Sequence, residues 1–303
     1  SELFGKSFDT QFDADLWQWK YELGDGKCII ARESKGSDIL SHYGGIPRHI
    51  QYFGEPNTAI QPSDVMVLSD VRRHYGKSSL FFKTAATFLE REIGNTVNHL
   101  LGFGFPNRKA MNIAIRLGLY EKTDDYVELV FPKAEGETDN LQLVPIDIRN
   151  QQHQSSIDSL WDSMKRGMTH GIVGDRHWRY IQYRYFDHPF SQMDLYRCVF
   201  LSNKEKEPLA AVFLKEHEQR MLIMDVICGV DRMKEVIANL NLLFCDLELK
   251  IWITKGWIES LRTETTIENN LGIEIPCNSW NPGPSSELLY GAWWLTAGDM
   301  DFL

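Results

Sequence analysis

Between residues 72 and 79 the chain reads Arg-Arg-His-Tyr-Gly-Lys-Ser-Ser. Cations gathered around one glycine are the chemistry of an anion cradle: the charges neutralise a phosphate, and the glycine lets backbone N–H groups close on it. Groups that could move protons stand nearby. Asp64 opens the apolar run Val65-Met66-Val67-Leu68, and His42 and Tyr43 lie on a strand expected beside it. Each also has a plainer reading, as a strand-end carboxylate that faces solvent or caps a turn and as a structural histidine satisfied within a strand. Gly76-Lys77-Ser78 is not a nucleotide P-loop, because that motif needs a glycine five residues before Gly76, where this chain has Val71. No His, Cys or Asp spacing forms a metal-ligand set, and no G-x-S-x-G elbow marks a serine nucleophile.

These residues need a strand, a turn and a helix to hold them. Residues 65–71 read as a short buried strand. Ser78 or Ser79 caps the helix that follows, and Phe81, Ala85, Phe88 and Leu89 give it one apolar face. Upstream, residues 3–22 look helical around Leu16, Trp17, Trp19 and Tyr21. Strands are expected at 28–31, 39–43 and 48–53. Downstream come a strand at 99–105, a helix from Arg108 to Leu117 with Ala110, Ile113, Ala114 and Leu117 on one face, and a strand at 126–132. The acidic, glycine-containing stretch 134–140 sets an expected boundary between domains 1–138 and 139–303.

Composition narrows the partners. The 303 residues carry a net charge of −10, which argues against nucleic acid, since binding it requires a basic surface. Arg176, Arg179 and Arg184 among Trp178, Tyr180, Tyr183 and Tyr185 therefore read as a helix with snorkelling arginines, lining an acceptor cleft rather than stacking bases. The five cysteines are scattered and include no CxxC pair, as expected of reduced thiols in a cytoplasmic protein. No signal-peptide pattern opens the sequence and no apolar run is long enough for a bilayer.

The spacing Arg73-x-x-Gly76-x-Ser78 resembles the pyrophosphate loop of the GNAT acyl-CoA-dependent N-acetyltransferases, Gln/Arg-x-x-Gly-x-Gly/Ala, with Ser78 in the last place. Gly104-Phe105-Pro106-Asn107, then Ala110, then Leu117-Gly118-Leu119 resembles that family's Asn-x-x-Ala and Leu-Gly-Phe segment. The resemblance implies an α+β fold in two tandem domains, each a mixed, mostly antiparallel sheet with helices on both faces. It implies acetyl-CoA, or another acyl-CoA, as co-substrate, and no metal. The donor would be held by Val67, Leu68, Ser69, Arg72, Arg73, His74, Tyr75, Gly76, Lys77, Ser78, Ser79 and Asn107. Backbone N–H groups around Val67 to Ser69 would polarise the thioester carbonyl. Asp64 or His42 would take the amine proton, directly or through a water. The tyrosine that protonates the departing thiolate in many members is replaced here by Ala114, and Tyr120 is the nearest substitute. The implied acceptor is a primary amine of a small metabolite or amino-sugar. Two other readings stay open: a catalytically inactive acyl-CoA sensor, favoured by Ala114, and an aminoacyl or peptidyl transferase, disfavoured by the acidic balance. The terminal stretch 298–303, acidic and apolar, either enters an active site, as in some tandem relatives, or is a docked or frayed tail.

The second half parallels the first. His177-Trp178-Arg-Tyr-Ile-Gln-Tyr matches Leu16-Trp17-Gln-Trp-Lys-Tyr, and Cys198-Val-Phe-Leu matches Cys28-Ile-Ile-Ala. Residues 221–227 and 233–244 stand for the strand and helix around the cradle, followed by a strand at 249–253, a helix at 258–269 and a strand at 291–296. The connection Cys228-Gly-Val-Asp231-Arg232 places an acid where the first half has Arg73, so a single donor site is expected, in the first half.

Overall fold

A computed structural model describes residues 2–8, 12–72, 76–95, 97–136, 140–189, 196–204, 207–217 and 219–300. Arg73, His74 and Tyr75, and the terminal residues 301–303, lie outside them. The helices are α1 Glu2–Phe8, α2 Ala14–Gln18, α3 Leu80–Glu92, α4 Arg108–Arg116, α5 Gln151–Gly167, α6 Trp178–Ile181, α7 Met233–Leu243 and α8 Ser286–Leu289. The strands are β1 Lys27–Ala31, β2 Ser41–Tyr52, β3 Glu55–Val67, β4 Leu101–Gly102, β5 Tyr120–Phe131, β6 Leu141–Pro145, β7 Ile172–Gly174, β8 Arg197–Asn203, β9 Pro208–His217, β10 Arg220–Ile227, β11 Glu248–Thr254, β12 Ile267–Asn278 and β13 Trp293–Trp294.

The fold is α+β, and its compact units interleave along the chain. The first comprises Ser1–His49, Asn57–Thr123 and Glu274–Tyr290; the second comprises Ile50–Pro56, Asp124–Ile273 and Gly291–Leu303. The chain passes from one unit to the other within β2, β3, β5 and β12 and again between α8 and β13.

The first unit is built on β1 to β4. Strand β1 runs antiparallel to β2, β2 lies beside β3, and β3 runs parallel to β4. Phe53 and Gly54, both at positive φ, form the tight turn between β2 and β3. Strand β2 is longer than its sequence implies, because Gly44 and Gly45 look like a break. They are instead points of close approach: a Cβ on Gly45 would stand 2.7 Å from the Phe88 ring, and one on Gly44 would collide with the Tyr21 hydroxyl. Helix α3 covers one face. Ala85, Phe88 and Leu89 are buried as the spacing requires, joined by Tyr43, Ile60, Phe82 and Ile93. Helix α4 turns further than expected: Met111 and Ala114 are its buried residues, and Ile113 is exposed.

The second unit carries the strand order β5-β11-β10-β9-β8-β6, with β12 beyond β5. Strands β8, β9 and β10 are successively antiparallel, and β10 is parallel to β11. Residues expected to be helical at 258–269 form a short 3-10 turn, Lys255–Ser260, and then enter β12. Ile267 is the only β-branched apolar residue from 267 to 272, so the pattern gave little strand signal.

The repeat is visible in the elements themselves. In each half a short α-helix continues into a π-helical turn, at Trp19–Leu23 and at Gln182–Phe186. Strands β1, β2 and β3, helix α3 and parallel strand β4 follow the first; β8, β9, β10, α7 and β11 follow the second. π-helical turns are rare, so two at matched positions are a strong sign of repetition. Among the described residues, no helix is long and apolar enough to cross a membrane.

Candidate functional site

Strands β3 and β4 pair only at Ala59–Leu101 and Ile60–Gly102. The Phe103 N–H still reaches the Ile60 carbonyl at 3.2 Å, and then the strands part. Pro62 has no N–H to continue the ladder. Beside the parting is a small, water-sized recess lined mainly by apolar groups, among them Pro62, Leu89, Ile93, Phe103, Tyr120 and Cys277.

Beyond the parting, Asp64 sits at φ +51, a left-handed conformation that aspartate tolerates better than most residues. Its carboxylate accepts from the Tyr21 hydroxyl at 2.9 Å and the Ser63 hydroxyl at 3.1 Å, and pairs with the Lys20 ammonium at 3.2 Å. Lys20 is itself buried. The Asp64 backbone carbonyl lies 2.7 Å from His42 Nδ1. A carbonyl only accepts, so Nδ1 carries the proton and the Nε2 lone pair is left over. Nε2 is buried without a hydrogen-bond partner. Burial holds the His42 pKa below the ordinary histidine value and so favours the neutral ring, against a smaller opposing effect of the hydrogen bond to the Asp64 carbonyl. Trp17 lies 5.2 Å from the His42 ring and stacks on Tyr21 at 4.1 Å. The structure therefore brings together two of the expected proton-transfer residues, His42 and Asp64.

Tyr120 is elsewhere. Successive residues of a strand face opposite ways, and Tyr43, next to His42, packs on Phe88 beneath α3. The Tyr43 hydroxyl contacts that of Tyr120. Burial pushes the Tyr120 phenol up to about 12 and the Tyr43 phenol well above its usual value. Tyr120 thus lines the pocket on the α3 side, while His42 and Asp64 occupy the other face of β2 and β3.

The expected cradle begins where β3 ends. Leu68 N–H donates to the Leu40 carbonyl at 2.9 Å, and the Arg72 guanidinium donates to the Val67 carbonyl at 2.7 and 2.9 Å. Ser69 Oγ donates to Asp70 at 3.2 Å. Gly76 stands at φ +70 with open space where a Cβ would project. Gly76–Ser78 form a 3-10 turn, and Ser79 is the N-cap of α3, its Oγ accepting from Phe82 N–H at 3.2 Å. The Lys77 ammonium lies 5.0 Å from the Trp280 ring. Gly76, Lys77 and Ser78 are exposed. Asn107 is the exposed N-cap of α4, its side chain accepting from Ala110 N–H at 2.9 Å.

Sequence reasoning passed over Lys20, Tyr21 and Ser63 as partners of Asp64. The available signal was a lysine set among Trp17, Trp19 and Tyr21, a cation where an aromatic face needs none. Among the described residues, no group of three or more His, Cys, Asp or Glu could hold a metal ion.

Solved structures share the overall fold of this chain. A conserved protein of unknown function from Enterococcus faecalis V583, named a probable N-acyltransferase, superposes with a TM-score of 0.66 at 11% identity, covering 91% of this chain and 68% of its own. A GCN5-related N-acetyltransferase from Anabaena variabilis matches with a TM-score of 0.61 at 12% identity, covering 92% and 69%. The chain has the GCN5-related N-acetyltransferase (GNAT) fold. Saccharomyces cerevisiae N-myristoyltransferase, solved with bound myristoyl-CoA, shares this GNAT fold with a TM-score of 0.52 at 7% identity, covering 92% and 74%. No protein-family model and no curated protein sequence matches the chain.

Proposed function

We propose that the protein is an acyl-CoA-dependent N-acyltransferase, moving an acetyl or other acyl group from coenzyme A to a primary amine of a small molecule or amino-sugar. The observation that carries this reading is the parting of β3 from β4 at Pro62, with a pocket at the parting and the 68–79 turn leading into the capped start of α3. In this reading the diphosphate lies on the backbone N–H groups of Gly76, Lys77 and Ser78, with Arg72, Arg73 and Lys77 supplying charge. The thioester enters the parting. Helix α3 has no acidic residue in its first turn, which suits an anion near its start.

The two faces of β2 and β3 divide the proton chemistry. Tyr120, protonated throughout the physiological range, would donate to the departing thiolate on the α3 side in place of the missing Ala114 tyrosine. On the other face, His42 suits the base better than Asp64. The Asp64 carboxylate already accepts from Lys20, Tyr21 and Ser63, so its oxygens are taken up by neighbours of the chain itself. His42 is neutral and keeps its Nε2 lone pair. Leu68 N–H is occupied by Leu40, so the carbonyl-polarising N–H falls to Val67 or Ser69.

Thermal unfolding with acetyl-CoA, longer acyl-CoAs and no ligand tests donor binding, and free-thiol release across an amine panel tests turnover. No stabilisation by any CoA species would reject the reading. Stabilisation without thiol release would favour the inactive sensor, which Ala114, buried in the core at the usual tyrosine position, keeps in view.

A further inference from the structure

In the second unit, β10 pairs with β11 from Arg220–Glu248 to Ile223–Ile251 and then parts from it, with a bulge before Asp225. The chain's own residues 293–300 enter this gap. On the β11 side, Thr296 bridges Ile253, Thr254 N–H donates to the Leu295 carbonyl at 3.2 Å, and Thr254 Oγ1 bonds to the Trp293 carbonyl. On the β10 side, Gly298 lies against Met224 with no room for a Cβ. Two buried arginines hold the segment. Arg184 donates to the Gly298 carbonyl at 2.7 Å and to the Met300 carbonyl at 3.0 Å. Arg176 stands between two carboxylates, 2.6 Å from Asp225 Oδ2 and 2.7 Å from Asp299 Oδ2. All three side chains are at most 1% exposed.

One arginine cannot neutralise two carboxylates. With both ionised, the triad carries one net negative charge in a fully buried site, a costly setting for a charge. The two acids are not equivalent. Asp299 also accepts from Thr296 N–H at 2.9 Å. Asp225 accepts only from Val226 N–H, at 3.0 Å, besides its arginine. Its other neighbours supply no second cation at hydrogen-bond distance: Tyr126 and Tyr185 face it with neutral phenols, and Tyr180 stacks on Arg176. Arg184 donates instead to the backbone carbonyls of Gly298 and Met300. Arg176 Nη1 and the Tyr185 hydroxyl find no hydrogen-bond partner, so the polar network is incompletely satisfied.

We propose that residues 293–300 are a latch across the second parting, closed by a proton shared in the Arg176–Asp225–Asp299 triad and loosened when that proton leaves. Asp225 is the residue that holds it: burial, opposed by Arg176, pushes its pKa up to about 6 from the usual 3.8. The sign follows from linkage. A carboxyl whose proton is held more tightly in the closed form stabilises that form fully below about pH 3.8, and the advantage is lost as pH rises to about 6.

Hydrogen exchange of the amides of residues 295–300 tests this on the full chain, with intrinsic exchange divided out. The latch should open about tenfold more readily at pH 8 than at pH 5. In Asp225→Asn, which leaves one arginine facing one carboxylate, protection should be the same at both values and at least as high at pH 8 as in the parent. PH-independent protection in the parent overturns the proposal even if the variant does not fold. A variant that folds and keeps the parent's slope overturns it as well.

Discussion

Two pairs of parallel strands part in this molecule, and they are finished in opposite ways. Where β3 leaves β4, the ladder stops at Pro62 beside a small apolar recess, and residues 76–78, just before α3, are exposed. Where β10 leaves β11, residues 293–300 fill the space, and Trp294, Leu295 and Ala297 are wholly buried there. Each third strand carries an aspartate just beyond the parting, and each aspartate meets a buried cation: Lys20 for Asp64, Arg176 for Asp225. The frame is the same. The difference lies in what satisfies the freed edges. Parted strands leave unpaired N–H and C=O groups that something must cover. The second unit covers them with its own chain and gains core. In the proposed function, the first leaves them to the acyl donor, at some cost in stability.

The largest effect should come from undoing the filled side. Trp294→Ala removes a side chain with 0% exposure, and a truncation of that size costs about 3–5 kcal/mol. Denaturant unfolding measures the loss. If the two partings are separate in function, the folded variant keeps the parent's affinity for acyl-CoA. A folded variant that no longer binds donor would mean that the filled parting, rather than the open one, is the donor site.

Next is the open side. Arg73→Glu should weaken CoA binding by about 100-fold, roughly the 1.5–3 kcal/mol of one charge-assisted contact plus the repulsion that replaces it. Unliganded thermal stability should stay within about a degree. Calorimetric titration reads the affinity, and an unchanged value would remove the diphosphate from this turn.

How much of this contrast the sequence carries depends on the range of the forces involved. The helix α3 face and its cap at Ser78 or Ser79 were legible, because spacing and capping are local, whereas the capping role of Asn107 was passed over. So was the repeat, through Trp17 and Trp178, although the π-helical turns that follow each tryptophan were not. Asp64 and His42 could be named as candidates but not joined, since their contact runs from a side chain to the carbonyl of a residue 22 positions away. The filling of the second parting was not legible. Residues 293–296 read as a whole strand, and only long-range contacts with Thr254 and Arg176 turn them into a two-residue strand and a wedge.

A third test separates the two proton-transfer candidates of the open side. His42→Gln should lower kcat by about 100-fold with little change in donor affinity, the usual size of a lost general base. Asp64→Asn keeps the backbone carbonyl that fixes the His42 tautomer, so its loss should be smaller. In the parent, kcat/KM should fall on the acidic side of an apparent pKa below 6.5, because burial favours the neutral ring and protonation removes the Nε2 lone pair. Steady-state rates from pH 5 to 8 measure this. A larger loss in Asp64→Asn than in His42→Gln would return the role to the carboxylate.

The smallest effect belongs to Tyr120, and it tests whether the two faces of the first sheet divide the chemistry. Tyr120→Phe removes the hydroxyl that lines the pocket and leaves that of Tyr43 unpartnered in a buried site, at a cost of about 1–3 kcal/mol in stability. If the phenol protonates the thiolate, kcat should fall about tenfold while the donor KM stays the same, because the contact matters only as charge develops on sulfur. The loss should shrink with an acyl donor whose thiol is more acidic than that of coenzyme A, since a better leaving group needs less help. The Asp225 latch, with no part in the first sheet, gives no reason for such a dependence. A Tyr120→Phe defect that is the same for both donors would make the hydroxyl pair structural and leave the thiolate to depart unassisted.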